Sequence, residues 1–206
     1  MAKKMEEIGA DALSVITPYF IPPTQEELIS HFRAIAESVN IPIILYNIPK
    51  FTGVNIDPDT LATLLEIKNI AAIKDSSGNL DNLRGYIHVS EGTDFAVLVG
   101  SDSKILPALK MGAKGAVSAT SNVITDTVLS VYHHYFHGEI EEAEKAQKDI
   151  EIFRKVLKLG TVPSVLKASL SMLGIQAGHA RFPVQPVSNE SKEKIREALN
   201  YYQLRM

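Results

Sequence analysis

Cysteine and tryptophan are both absent from the 206 residues of this chain. Without cysteine there are no disulfides, no thiolate nucleophiles and no cysteine-bound metals. That absence suits a reducing compartment, and a cytoplasmic location is expected. An excess of one charge is lacking too. Lys and Arg number 21 against 24 Asp and Glu, a net charge of −3, so no basic field draws nucleic acid. No apolar run approaches the length of a membrane span. The first five residues lead into Glu6-Glu7 with no apolar stretch behind them, which does not read as a signal peptide. Gly112 and Gly115 lack the G-x-G-x-x-G spacing of a dinucleotide loop, so nucleotide binding is unsupported. His133 and His137 share a helical face, but no acidic partner stands at ligand spacing, and no metal is expected there.

What is present is an apolar content of 45%, enough for a packed core, arranged as strands alternating with helices. Asp11 to Thr17 reads as a strand closed by Pro18. Thr24 and Glu27 have capping-box spacing ahead of a helix with apolar Leu28, Phe32, Ile35 and Val39. Further strands are expected at 41–46, 70–74, 95–99 and 115–119. Helices are expected from Asp57-Pro58, from about Leu80, and from about Ser103 to Gly112. Such alternation predicts a parallel sheet in sequential order with helices on its outer face. After Thr120 no convincing strand follows. Thr125 to Phe136, Glu139 to Leu159, Pro163 to Leu173 and Ser191 to Tyr202 read as helices, with Val128, Val131, Ile152, Leu166 and Leu170 expected inside. Residues 1–120 are thus read as a βα array and 121–206 as a helical layer appended to it.

Two strand ends carry chemistry. Ile70 to Ile73 runs apolar into Lys74, followed by the turn residues Asp75-Ser76-Ser77-Gly78. Ile41 to Leu45 runs into Tyr46-Asn47-Ile48-Pro49. An amine and a phenol are therefore delivered to carboxyl ends of neighbouring strands, where α/β folds bind their ligands.

Several strings, in one order, carry a resemblance. They are Gly9-Ala10-Asp11-Ala12, Thr17-Pro18-Tyr19-Phe20, Tyr46-Asn47-Ile48-Pro49 with Thr52-Gly53, Ile73 to Gly78, and Gly100-Ser101-Asp102. They resemble the dihydrodipicolinate synthase / N-acetylneuraminate lyase family of class I pyruvate aldolases. The resemblance implies a (βα)8 TIM-barrel fold with a C-terminal helical extension, usually a homotetramer. Against that plan the chain matches only the last five βα units plus the extension. The family's Gly-Thr-Thr-Gly-Glu loop, which holds the pyruvate carboxylate, is not matched. The expectations are an open strand edge that favours self-association, and weak or absent pyruvate labelling of these residues alone, restored when the missing strands are supplied.

The resemblance also implies roles. Lys74 matches the Schiff-base lysine and Tyr46 the proton-shuttling phenol. Gly100 and Val117 match positions lining the pyruvate pocket, and Ser76 one near the aldehyde-derived part of the substrate. Tyr19 is a further, weaker substrate-binding candidate. The substrates implied are pyruvate, or another 2-oxo acid, and an aldehyde, with no cofactor and no metal. The chemistry suits these residue types. Only an unprotonated amine attacks a 2-oxo acid, and lysines titrate at ~10.4 unless burial brings them towards ~7–8.

Three positions depart from the pattern. Phe20 stands where the family usually has a tyrosine reaching into a neighbouring subunit. Phe51 replaces the arginine typical of dihydrodipicolinate synthases and cannot clamp a carboxylate. Ser103 stands where sialic acid lyases tend to carry glutamate. The leading expectation is therefore a pyruvate-dependent Schiff-base lyase or aldolase of unassigned aldehyde. Dihydrodipicolinate synthase, condensing pyruvate with aspartate semialdehyde, is the alternative within the family. A catalytically silent, self-associating fragment is the alternative outside it.

Overall fold

A computed structural model describes residues 1–204, which form two compact units, Met1–Val117 and a second that begins at Ser118. The first unit is built on five parallel strands, β1 (Leu13–Ile16), β2 (Ile43–Asn47), β3 (Ile70–Asp75), β4 (Ala96–Val99) and β5 (Gly115–Ala116). They lie in the order β1-β2-β3-β4-β5, as the strand–helix alternation predicts. Between them run α1 (Ala2–Glu7), α2 (Gln25–Ala36), α3 (Pro49–Thr52), α4 (Pro58–Leu64), α5 (Leu80–Val89) and α6 (Ile105–Met111). β5 is shorter than the expected 115–119. Val117 N still donates to Val99 O at 2.9 Å, but the chain then turns into a 3-10 helix at Thr120–Asn122.

Local chemistry fixes these elements. Thr24 and Glu27 form the reciprocal capping box, with Thr24 N donating to Glu27 Oε2 at 2.8 Å and Glu27 N to Thr24 Oγ1 at 3.3 Å. It starts α2 with Leu28, Phe32 and Ala36 on one buried face, one helical turn apart. Pro58 sits in the first turn of α4, where its missing N–H costs nothing. The Asn79 side chain accepts from Asp81 N and Asn82 N and caps α5. Gly112, at φ +109, takes the left-handed turn that ends α6.

Side chains alternate across the strands. In β2, Ile43, Leu45 and Asn47 are buried while Ile44 and Tyr46 are only half-buried. The buried set faces the helix layer, in which α2 packs on α4, α4 on α5 and α5 on α6. Leu45, Ile73, Val97, Phe32, Leu61, Leu83 and Leu109 make its core. The other face carries Ser14, Ile16, Ile44, Tyr46, Lys74 and Leu98, all at least partly accessible. β1 and β5 each pair with one strand, so among the described residues the sheet has two free edges.

The second unit holds α7 (Thr125–Phe136), α8 (Ile140–Val156), α9 (Val162–Met172) and α10 (Asn189–Tyr201). Val128 and Val131 are buried as expected, whereas Ile152, Leu166 and Leu170 are only half-buried. The buried stripe of α8 runs Ala143, Ala146, Ile150, Phe153. That is the three-and-four spacing of one helical face, and it leaves Ile152 on its flank. In α9 the buried positions are Ser164, Val165 and Ser169, one residue ahead of the expected leucines. Among the described residues, no helix is long and apolar enough to cross a membrane.

Candidate active site

The site begins with a register. β3 carries one residue more than β2 between paired positions, since Ile43 pairs with Ile70 and Ile44 with Ala72. This bulge at Ala71 brings Tyr46 opposite Lys74 and Asn47 opposite Asp75. Tyr46 and Lys74 therefore share the open face, and Asn47 and Asp75 share the buried one.

The lysine Nζ lies 3.9 Å from the centroid of the Tyr46 ring. The lysine nitrogen sits over the ring face, in the geometry of a cation–π contact, which is worth about 0.5–2 kcal/mol. Gly100 completes the mouth. A Cβ built on it would lie 2.0 Å from Ser76 Oγ and 2.9 Å from Lys74 Cε, so only glycine leaves room for both. Ser76 Oγ is buried and makes no hydrogen bond, an arrangement that costs about 1–3 kcal/mol. Backbone bonds run the ladder past the strand ends. Ser76 N donates to Asn47 O at 2.8 Å and Gly100 N to Asp75 O at 2.7 Å.

The remaining candidates lie further out. Val117 bonds to β4 through its amide, and its side chain is 46% exposed. Tyr19 follows the end of β1 and is 66% exposed; among the described residues no hydrogen bond or ring contact joins it to the Lys74 group. Beside it Phe20 is 92% exposed with its backbone at φ +77, a left-handed conformation that is strained for a bulky residue. Phe51 on α3 is 74% exposed, with Lys50 Nζ 5.7 Å from its ring centroid. Ser103 Oγ lies 3.3 Å from Ser101 Oγ.

Behind the mouth is a network that the sequence reading passed over. Asp75 Oδ1 accepts from Asn47 Nδ2 at 2.8 Å and from Ser77 N at 3.2 Å, and Asp75 Oδ2 accepts from Ser77 Oγ at 2.8 Å. Asn47 also donates to Asn55 Oδ1 at 2.8 Å and accepts from Ile56 N at 3.1 Å. The Tyr86 hydroxyl donates to Ile56 O. Burial, with Asp75 and Asp57 adding to it, drives the Tyr86 phenol far above its ordinary value, so it stays a donor. The signal was available in the strand parity, because Asn47 falls on the buried side with Ile43 and Leu45.

The sequence model of the dihydrodipicolinate synthetase family matches residues 1–202. A 4-hydroxy-tetrahydrodipicolinate synthase of Halalkalibacterium halodurans is 38% identical over 200 residues, which cover 97% of this chain and 68% of that protein. One from Methanothrix thermoacetophila is 39% identical over 199 residues, with the same shares. Among solved structures, the chloride-inhibited dihydrodipicolinate synthase of Acinetobacter baumannii, complexed with pyruvate, matches with a TM-score of 0.91 at 32% identity. The match covers 99% of this chain and 70% of that one.

Proposed function

This chain belongs to the dihydrodipicolinate synthetase family, a family of lyases, and from that premise we propose that the β2–β3 mouth forms or cleaves a carbon–carbon bond between pyruvate and an aldehyde through a Schiff base on Lys74. The observation that carries this reading is the lysine amine stacked on the tyrosine ring, 3.9 Å from its centroid, at paired strand ends. The Lys74 amine adds to the C2 carbonyl of pyruvate, and loss of water leaves an iminium. Loss of a C3 proton gives the enamine, whose carbon attacks the aldehyde. The new alkoxide takes a proton, which Tyr46 passes on. Hydrolysis of the iminium returns the free amine; cleavage is the reverse sequence. Ser76 and Gly100 border the reacting carbon, with Val117 at the rim.

The second reading, condensation with aspartate semialdehyde, is favoured by what the relatives are called. Phe51 speaks against it, since an exposed phenyl offers a carboxylate no donor. Rates with aspartate semialdehyde against uncharged aldehydes separate the two readings.

Tyr46→Phe isolates the proton role. It keeps the ring under Lys74 and removes only the hydroxyl. Turnover is expected to fall by about 10²-fold or more, the usual weight of a general acid–base group, with the melting temperature unchanged. Full turnover in Tyr46→Phe would remove the phenol from the mechanism.

A further inference from the structure

The reverse side of the two strand ends does a job that the reaction scheme leaves unassigned. Asp75 is 2% exposed and Asn47 fully buried. They form the register pair immediately after Lys74 and Tyr46, on the opposite face of the sheet. We propose that Asp75, acting through Asn47 and Ser77, is the positioning residue that holds Lys74 over Tyr46 and seats Ser76 against Gly100; the catalytic part of this inference rests on reading Lys74 as the Schiff-base lysine.

The argument is one of satisfied donors. Among the described residues, every hydrogen-bond partner of the Asp75 carboxylate is an amide or a hydroxyl, and no cation is among them. A buried carboxylate held this way tolerates little displacement, because each lost donor leaves charge uncompensated in a low-dielectric site. Both amide hydrogens of Asn47 are committed, one to Asp75 and one to Asn55, and its oxygen takes Ile56 N. The end of β2 is thereby bound to the loop before α4 and to the end of β3 together. Ser77 bonds to both carboxylate oxygens and bends the chain directly after Ser76. Twisting the end of β3 would break these bonds before it moved Lys74 off the ring. Strand ends otherwise fray, and a misplacement of about 1 Å costs a reaction as much as 10²-fold.

The hydrogen-bond pattern requires acceptors at Asp75 more than it requires the charge. Asp75→Asn keeps an oxygen facing Asn47 and Ser77 N, and its amide can donate to Ser77 Oγ. Asp75→Ala removes every acceptor. The experiment is site-resolved reductive methylation by formaldehyde and cyanoborohydride on the full chain, read by mass spectrometry, with exposed Lys68 as internal reference. In the wild type and in Asp75→Asn, Lys74 is expected to react more slowly than Lys68. In Asp75→Ala it should approach the Lys68 rate while circular dichroism shows a folded protein. Should Asp75→Ala not fold, Asn47→Ala is the second variant, with the same expected release of Lys74.

A parallel arm measures pyruvate trapping with borohydride. The maximal rate is expected to drop about tenfold or more in Asp75→Ala and to recover in Asp75→Asn, with half-saturating pyruvate unchanged. Equal methylation of Lys74 in all variants would overturn the positioning role, and so would release of Lys74 by Asp75→Asn as great as by Asp75→Ala. If no variant traps pyruvate, the Schiff-base reading fails, and the methylation pattern still decides the positioning.

Discussion

Gly100→Ala is expected to reduce pyruvate trapping by on the order of 10²-fold, an effect out of proportion to one methyl group. The added carbon would lie 2.0 Å from Ser76 Oγ and 2.9 Å from Lys74 Cε, closer than real atoms approach, and a tight 3.1 Å from Ser76 Cβ. Rotation about Cα–Cβ turns Ser76 Oγ away but leaves Ser76 Cβ 3.1 Å from the added carbon, because the backbone there is held. Its amide is bonded to Asn47 O, and the next residue is tied to Asp75. Lys74, on a flexible stem, yields first and leaves the Tyr46 ring. The strain costs about 1–3 kcal/mol, as overpacking does, so the protein should stay folded while the site fails. Gly115→Ala is the control on the same sheet. Its nearest contact would be Leu98 Cδ2 at 3.7 Å, an ordinary separation, and both stability and trapping should hold. Trapping by Gly100→Ala at the wild-type rate would show that Ser76 and Lys74 do not share the tight corner described.

Phe32→Ala is expected to cost about 3–5 kcal/mol, a large part of the roughly 5–15 kcal/mol that holds a domain folded. The ring is fully buried in the face that α2 turns to the sheet, flanked at the same helical spacing by Leu28 and Ala36. Its loss leaves a cavity that these neighbours are too constrained to fill. Urea denaturation should show the lower midpoint. Hydrogen exchange should quicken at the amides of β1 and β2. A loss below about 1 kcal/mol would mean that the site collapses around the missing ring and that α2 is not packed as described.

Much of the first unit was legible because its signals are local and strong. The apolar runs gave five strands in sequential order, and Thr24 with Glu27 gave a helix start whose reciprocal bonds are present. Helix faces in the second unit were harder. Ile152 is as hydrophobic as its buried neighbours Ile150 and Phe153, and in α9 two serines, Ser164 and Ser169, are buried while Leu166 and Leu170 are not, because which side of a helix is covered depends on the helices packed against it. The candidate site was legible only as a pair of strand ends. The stacking of Lys74 on Tyr46 depends on a bulge at Ala71 that no residue type announces. The clearance at Gly100 depends on Ser76, a neighbour distant in sequence and adjacent in the sheet. Asn47 and Asp75 were visible as motif residues, but their joint burial follows from strand parity combined with that register.

The central claim is that Lys74 is the amine that captures pyruvate. Its most direct test is incubation of the chain with pyruvate and borohydride, followed by peptide mass mapping. The account predicts slow labelling, because the open face around Lys74 is partly accessible to water. The reduced adduct should nevertheless be confined to Lys74 and be lost in Lys74→Ala. An adduct spread over the surface lysines, or one that persists undiminished in Lys74→Ala, would contradict it.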